Sequence, residues 1–279
     1  MTETALKDFA DIVTGADENI NLVEAALVVA ANEYPDLDSS VCRQTLEMMA
    51  DELQLRILGC TSTGDVIAAL NGYLFDELGF AGDLSNFNDP RNSYLNDVLE
   101  RRLGIPLSLS LLYMELGRRI GLCINGVSFP GHFLVRLQQA GVDLVLDPFA
   151  GGLVLDEQEL RQRLRQFKRG GRADSDLQQL LAPASNRAIL ARMLRNLKNI
   201  YLEAEDFDHA LEIANFLLVL LPGDPDEVRD RAHIYDRLDC YRAAIADYQH
   251  YLMLQPVADD HPYVQTRLTD LRLSAGRLH

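Results

Sequence analysis

The sequence has little basic charge and no long apolar run. Its 279 residues include 26 Lys and Arg against 42 Asp and Glu, a formal net charge of −16. Because such a chain repels polyanions at long range, nucleic acid and anionic membranes are not expected partners. No stretch reaches the roughly 18 consecutive apolar residues of a membrane span, and the start of the sequence is acidic, unlike a signal peptide. These absences predict a cytoplasmic protein.

Cysteine is also scarce. The four cysteines, at positions 42, 60, 123 and 240, are widely spaced and form no C-x-x-C pattern. A zinc site is therefore not expected, and in a reducing cytoplasm the thiols should be free. The phosphate-binding pattern GxxxxGK[ST] is absent as well. We expect no metal and no cofactor.

Apolar periodicity predicts an α+β fold for the first part of the chain. Residues 1–88 have helical spacing, and a buried helix is predicted from Pro106 to about Ile120, closed by Gly121. The following segments NGVSF, HFLVRL and DLVLD read as strands, with QQAGV as a hairpin turn between the last two. A helix and a Gly-Gly loop should follow over 156–182. We predict a mainly helical N-terminal part with a helix and small antiparallel sheet as its core, forming a domain over residues 1–182.

A 34-residue repeat marks the rest of the chain. The pairs at this spacing are Tyr201/Tyr235, Phe207/Tyr241, Ala210/Ala244, Leu218/Leu252 and Pro222/Pro256. This period and these residue types are typical of tetratricopeptide repeats, helical hairpins in which a small alanine allows close approach and a proline ends the second helix. Lys198 departs from the pattern, since a small residue is expected there. We predict an all-α repeat domain over 183–279, with flanking helices at ASNRAILARMLR and YVQTRLTDLRLSAG.

Three residues form a candidate catalytic site. His132 follows Pro130-Gly131 at a predicted strand start, and Asp147 ends the next strand, so a hairpin would bring them together. An adjacent carboxylate orients an imidazole in catalytic triads, although the pair could equally be structural. Ser108 lies in the first turn of the buried helix, where the positive helix end stabilises anions. It is either a nucleophile, a part of a binding cleft, or a serine that bonds backbone groups of that turn.

Further residues of this region are candidates for a binding cleft. The two asparagines could brace the cleft or simply cap the next helix, and the two arginines could bind an anion or form a solvated helix end. The candidate binding residues are Asn92, Tyr94, Asn96, Arg101, Arg102, Ser110 and Phe149. Cys123 follows the helix C-terminus, the wrong end of the dipole for a thiolate nucleophile.

Long segments resemble a known family. NSYLNDVLERRLGIPLSLSLLYMELGRRIGL, GVSFPGHFLVR and LDPFAGG are similar to the bacterial SirB-type proteins, a transglutaminase-like domain followed by tetratricopeptide repeats. The resemblance implies a Cys–His–Asp triad, of which His132 and Asp147 match the second and third members. The cysteine is missing, and Ser108 lies closest to its expected place.

Three functions are compatible with these residues. The favoured hypothesis is a non-catalytic, regulatory or binding module that holds a peptide or protein through the cleft and the repeats. The alternative is a hydrolase or acyltransferase with a Ser108–His132–Asp147 triad, and a third is a purely structural scaffold. We therefore lean against an enzyme, and the sequence predicts no oligomeric state.

Overall fold

The computed structural model describes residues 3–139, 141–167 and 177–277. Its contacts divide the chain into two units, Gly15–Leu190 and Met1–Thr14 with Ala191–His279. This division differs from the predicted one at the start of the chain. Helix α1, Glu3–Val13, packs against the repeat helix Phe207–Leu220, and the rings of Phe9 and Phe216 lie 5.0 Å apart. Phe9 is fully buried there, which explains why α1 belongs with the repeats.

The unit Gly15–Leu190 is α+β, as predicted. Asn21 and the pair Ser62 and Asp65 cap two of its early helices by accepting backbone N–H groups. A π-helical turn, Gly72–Glu77, extends α4. Its helices are α2 Leu22–Glu33, α3 Ser39–Ile57, α4 Thr63–Asn71, α5 Leu95–Arg101, α6 Pro106–Arg119, α7 Glu157–Phe167 and α8 Leu177–Leu180.

Two sheets are present in the described part of this unit. The short strands β1 Ala81–Gly82 and β2 Leu103–Gly104 pair in parallel. The larger sheet is antiparallel in the order β3 Ile124–Val127, β4 Leu134–Gln139, β5 Val142–Asp147 and β6 Leu153–Leu155. The three predicted strands are confirmed, whereas β6 was missed because it has only three residues. Ala140, in the predicted hairpin turn, lies outside the described residues.

The larger sheet is covered on both faces. Every residue of α6 from Pro106 to Gly117 is buried, and Gly117 allows close approach, since a Cβ there would lie 2.5 Å from Ile124 Cδ1. A second apolar cluster joins the sheet to α7 and α8 and includes Val127, Leu134, Val145, Leu160, Leu164 and Leu177. The predicted Gly-Gly loop between α7 and α8 lies outside the described residues.

The second unit contains the predicted helical hairpins. Its helices after α1 are α9 Asn186–Glu203, α10 Phe207–Leu220, α11 Pro225–Arg237, α12 Tyr241–Leu254 and α13 His261–Arg277. The repeat alanines, Ala210 and Ala244, are fully buried. The predicted flanking helix ASNRAILARMLR is the first part of α9 itself. Across the described residues, none of the helices is long and apolar enough to cross a membrane.

Candidate functional site

The structure brings His132 and Asp147 together. His132 lies in the turn two residues before β4, not within the strand as predicted, and Asp147 is the last residue of β5. Because Val135 pairs with Leu146, the start of β4 lies beside the end of β5. His132 Nε2 is 2.9 Å from Asp147 Oδ1. The bond fixes the imidazole orientation, the role that a carboxylate has in a triad.

Asp147 is almost fully buried, and it accepts hydrogen bonds from groups other than His132. Its Oδ1 accepts hydrogen bonds from the N–H groups of Phe149 and Ala150, which caps the 3₁₀ turn Pro148–Ala150. Its Oδ2 accepts from Arg163 Nη1 on α7 at 2.5 Å. Burial disfavours the charged carboxylate, but the bonds and charges of His132 and Arg163 outweigh it and hold the pKa of Asp147 below its ordinary value.

Arg163 is a site residue that sequence reasoning missed. It lies 16 positions beyond Asp147, on a helix that carries three arginines in its sequence EQELRQRLRQF. Nothing in that pattern distinguishes the arginine that faces the sheet. Only the packing of Leu160 and Leu164 against the sheet fixes the rotation of α7 and so the direction of Arg163.

Ser108 is buried and bonded to the backbone. Its Oγ donates to the carbonyl of Asn92 at 2.6 Å and accepts from the N–H of Ile105 at 3.0 Å, with a longer contact of 3.2 Å to the Ile105 carbonyl. Among the described residues, its hydrogen bonds are to these backbone groups and not to His132. The hydroxyl therefore joins the first turn of α6 to the loop before α5.

Asn92 and Arg101 belong to a buried polar network. Asn92 is fully buried, and its Nδ2 donates to Asp83 Oδ2 and to the carbonyl of Asn86. Arg101 Nη1 donates to Asn92 Oδ1, and its other nitrogen lies 3.7 Å from Asp83 and 3.8 Å from Asp89. In these contacts the two predicted cleft residues hold the loop that follows β1.

Four further candidate binding residues, Tyr94, Asn96, Arg102 and Ser110, lie on or next to α5 and α6. Tyr94 is buried, with its hydroxyl 3.3 Å from Glu33 Oε2, and Arg102 has a left-handed backbone and donates to the Leu78 carbonyl. Asn96 Oδ1 and Ser110 Oγ are buried atoms with no hydrogen-bond partner among the described residues.

Phe149 is the predicted binding residue that does contact the histidine. The two rings are edge to face, with centroids 5.9 Å apart. Phe149 packs closely on β1, since a Cβ on Gly82 would lie 2.4 Å from Phe149 Cε2. Its ring also makes an edge-to-face contact with Phe87, a second residue that the sequence did not single out, with the ring centroids 6.3 Å apart. Together these contacts place an aromatic surface beside the His–Asp pair.

Comparisons with known proteins agree with this architecture. Residues 40–195 match the transglutaminase-like superfamily, and residues 197–269 match a tetratricopeptide repeat. The expected pairing of these two domain types is thereby confirmed.

Similar proteins of the same length are known from bacteria. A UPF0162 protein of Xylella fastidiosa (strain Temecula1) is 42% identical over 263 residues, which is 94% of this chain and 93% of its own length. A UPF0162 protein of Vibrio cholerae is 33% identical over 84% of this chain and 86% of its own. Human F-box only protein 21 is 33% identical over 53% of this chain, but over 22% of its own length. The chain therefore belongs to the transglutaminase-like superfamily, within the UPF0162 family.

Proposed function

We propose that this protein is a non-catalytic member of the superfamily that binds a peptide or protein segment at the cleft beside His132 and through its repeats, in a regulatory or scaffolding role. The observation that carries the proposal is the burial and hydrogen bonding of Ser108. A nucleophilic hydroxyl must face both the substrate and a base, whereas this one is buried and bonded to two backbone segments. The thiol expected at this helix end is absent from the sequence.

The cysteines elsewhere do not replace it. Cys42 is buried in α3, where burial raises the pKa of its thiol, and Cys123 follows the C-terminus of α6. All four cysteines are free thiols, which is consistent with the proposed cytoplasmic location. The tetratricopeptide match favours a protein or peptide partner, because such repeats stack into extended binding surfaces.

One observation favours the competing function, a hydrolase or acyltransferase. The His132–Asp147 pair has the spacing and the buried carboxylate of a triad. For Ser108 to complete it, the hydroxyl would have to leave the Asn92 carbonyl, its shortest bond. That step breaks the link between α6 and the loop, so we rank binding first.

The test combines turnover with binding. We would assay the full chain on p-nitrophenyl esters and on fluorogenic peptide amides, alongside His132→Ala and Ser108→Ala. In parallel, a library of random 12-residue peptides displayed on phage would be selected on the full chain. The proposal expects enriched peptides and no His132-dependent turnover. Hydrolysis that both substitutions abolish would establish the triad instead, and a library without enrichment would refute the binding function.

A further inference from the structure

A loop beside the candidate site exposes large apolar side chains. Residues 83–89 connect β1 to the 3₁₀ turn Pro90–Asn92. Leu84 on this loop is 84% exposed, and Phe87 is about half exposed. Exposed apolar side chains on one loop carry meaning when they lie together and next to other apolar surface.

The loop is held rigid from below. Asp83 is buried and accepts hydrogen bonds from the N–H and hydroxyl of Ser85, from the N–H of Asn86 and from Asn92 Nδ2. These bonds, first those of Ser85, lower the pKa of Asp83 to about 2, so the carboxylate stays charged. Asp89 closes the other end of the loop with bonds to Arg91. Because the backbone of the loop is held by these bonds, binding to its apolar side chains costs less ordering of the loop itself.

The apolar surface continues to the histidine. Phe87 contacts Phe149, and Phe149 contacts the His132 ring. On the far side, the ring of Phe167 lies against Gly131, where a Cβ would be 2.3 Å from it. We call these five residues, Leu84, Phe87, His132, Phe149 and Phe167, the aromatic rim.

Two guanidinium groups near the rim are more exposed than the carboxylates with which they pair. The side chain of Arg163 is 31% exposed, while its partner Asp147 is 2% exposed. Arg91, in the 3₁₀ turn that follows the loop, is likewise exposed, while its partner Asp89 is buried. Because charges are screened beyond about 8 Å at physiological ionic strength, a segment bound at the rim would respond mainly to nearby charges such as the Arg163 guanidinium.

We propose that the aromatic rim binds a protein segment in which an aromatic or large aliphatic side chain stands next to an aspartate or glutamate. The apolar side chain packs on Leu84, Phe87 and Phe149, and the carboxylate pairs with Arg163. The inference rests on the proposed binding function and adds the chemistry of the partner. A buried apolar anchor beside a charge pair is the composition of a binding hot spot.

The experiment uses peptides enriched on the full chain. Their consensus, as a fluorescein-labelled synthetic peptide, is titrated by fluorescence anisotropy with wild type, Leu84→Ser, Phe87→Ser and Arg163→Met. We expect the consensus to contain an apolar residue within two positions of an acid, and each rim substitution to weaken binding at least tenfold. The Arg163→Met effect should disappear when the acid of the peptide is replaced by its amide. The matched control is Leu58→Ser, since Leu58 in the same unit is 81% exposed and lies outside the rim.

The results that would contradict this proposal can be told apart. Binding that Leu84→Ser and Phe87→Ser leave unchanged overturns the rim while the binding function survives. A consensus without an acidic residue overturns the stated partner chemistry. A dimer in light scattering that Phe87→Ser dissociates, with no effect on peptide affinity, shows that the occupant is a second copy of the chain. A library without any enrichment removes the proposed function together with this inference.

Discussion

The role of Ser108 can be tested through stability. If its hydroxyl is a structural link, Ser108→Ala should destabilise the protein by removing the bonds to the Asn92 carbonyl and to the Ile105 N–H. Both groups are buried, and the Asn92 carbonyl keeps only the longer bond of 3.3 Å from Ile105. A nucleophile would behave differently, since its loss removes activity and leaves stability almost unchanged.

The expected loss of stability follows from the two shorter hydrogen bonds of Ser108. At about 0.5–1.5 kcal/mol net for each, Ser108→Ala should lower the free energy of unfolding by roughly 1–3 kcal/mol. For a unit of this size each kcal/mol corresponds to about 2–4 °C, so a loss of about 2 kcal/mol lowers Tm by about 4–8 °C. Urea unfolding followed by far-UV circular dichroism, together with a thermal scan, would measure both quantities.

Ser110 provides a matched control on the same helix. It is fully buried too, but within the described part of the chain its Oγ has no hydrogen-bond partner. Ser110→Ala removes a buried unsatisfied hydroxyl and should leave stability unchanged or raise it. If Ser108→Ala proves as stable as Ser110→Ala, the hydrogen bonds of Ser108 do not support the fold, and the reasoning that assigns it a structural role is refuted.

Three further predictions concern other parts of the molecule. Lys198→Met should lower the free energy of unfolding, measured in urea, by about 3 kcal/mol, because buried Glu227 loses an ion-pair partner. Adding Glu227→Gln should restore part of that loss. Equal stability of the single and the double variant would contradict this expectation. Asp83→Asn should destabilise at pH 7. The pKa of Asp83 is about 2 in the folded protein and about 3.9 in the unfolded chain, so the stability difference between this variant and wild type should shrink as pH falls from about 4 to 2. A difference in urea midpoint that stays constant over these pH values would refute this. Gly82→Ala should lower Tm and alter the near-UV spectrum, since the new Cβ meets the Phe149 ring; an unchanged Tm would mean that the ring moves freely.

Some features were predictable because they depend on local spacing. The change from helical period to alternation after Gly121 located β3, β4 and β5, and the 34-residue period located the helical hairpins. The pairing of His132 with Asp147 followed from the same logic, because two strands joined by a short turn must place their outer ends together.

The packing of distant segments was not predictable in this way. The apolar face of α1 is compatible with either unit, and only the burial of Phe9 beside Phe216 decides where it belongs. Arg163 is one of three arginines on α7, and its contact with Asp147 depends on how that helix is rotated against the sheet.

The sequence by itself determined the two domain types, the elements around the site and the His132–Asp147 pair, because these rest on periodicity and short connections. Only the tertiary structure decided the hydrogen bonds of Ser108, since its hydroxyl could face a cleft or the backbone and its partner at Asn92 is 16 residues away. It also decided which apolar residues face solvent: Leu84 and Phe87 are exposed on a loop whose start is held by the hydrogen bonds of the buried Asp83. Such arrangements depend on contacts between segments that no local pattern encodes.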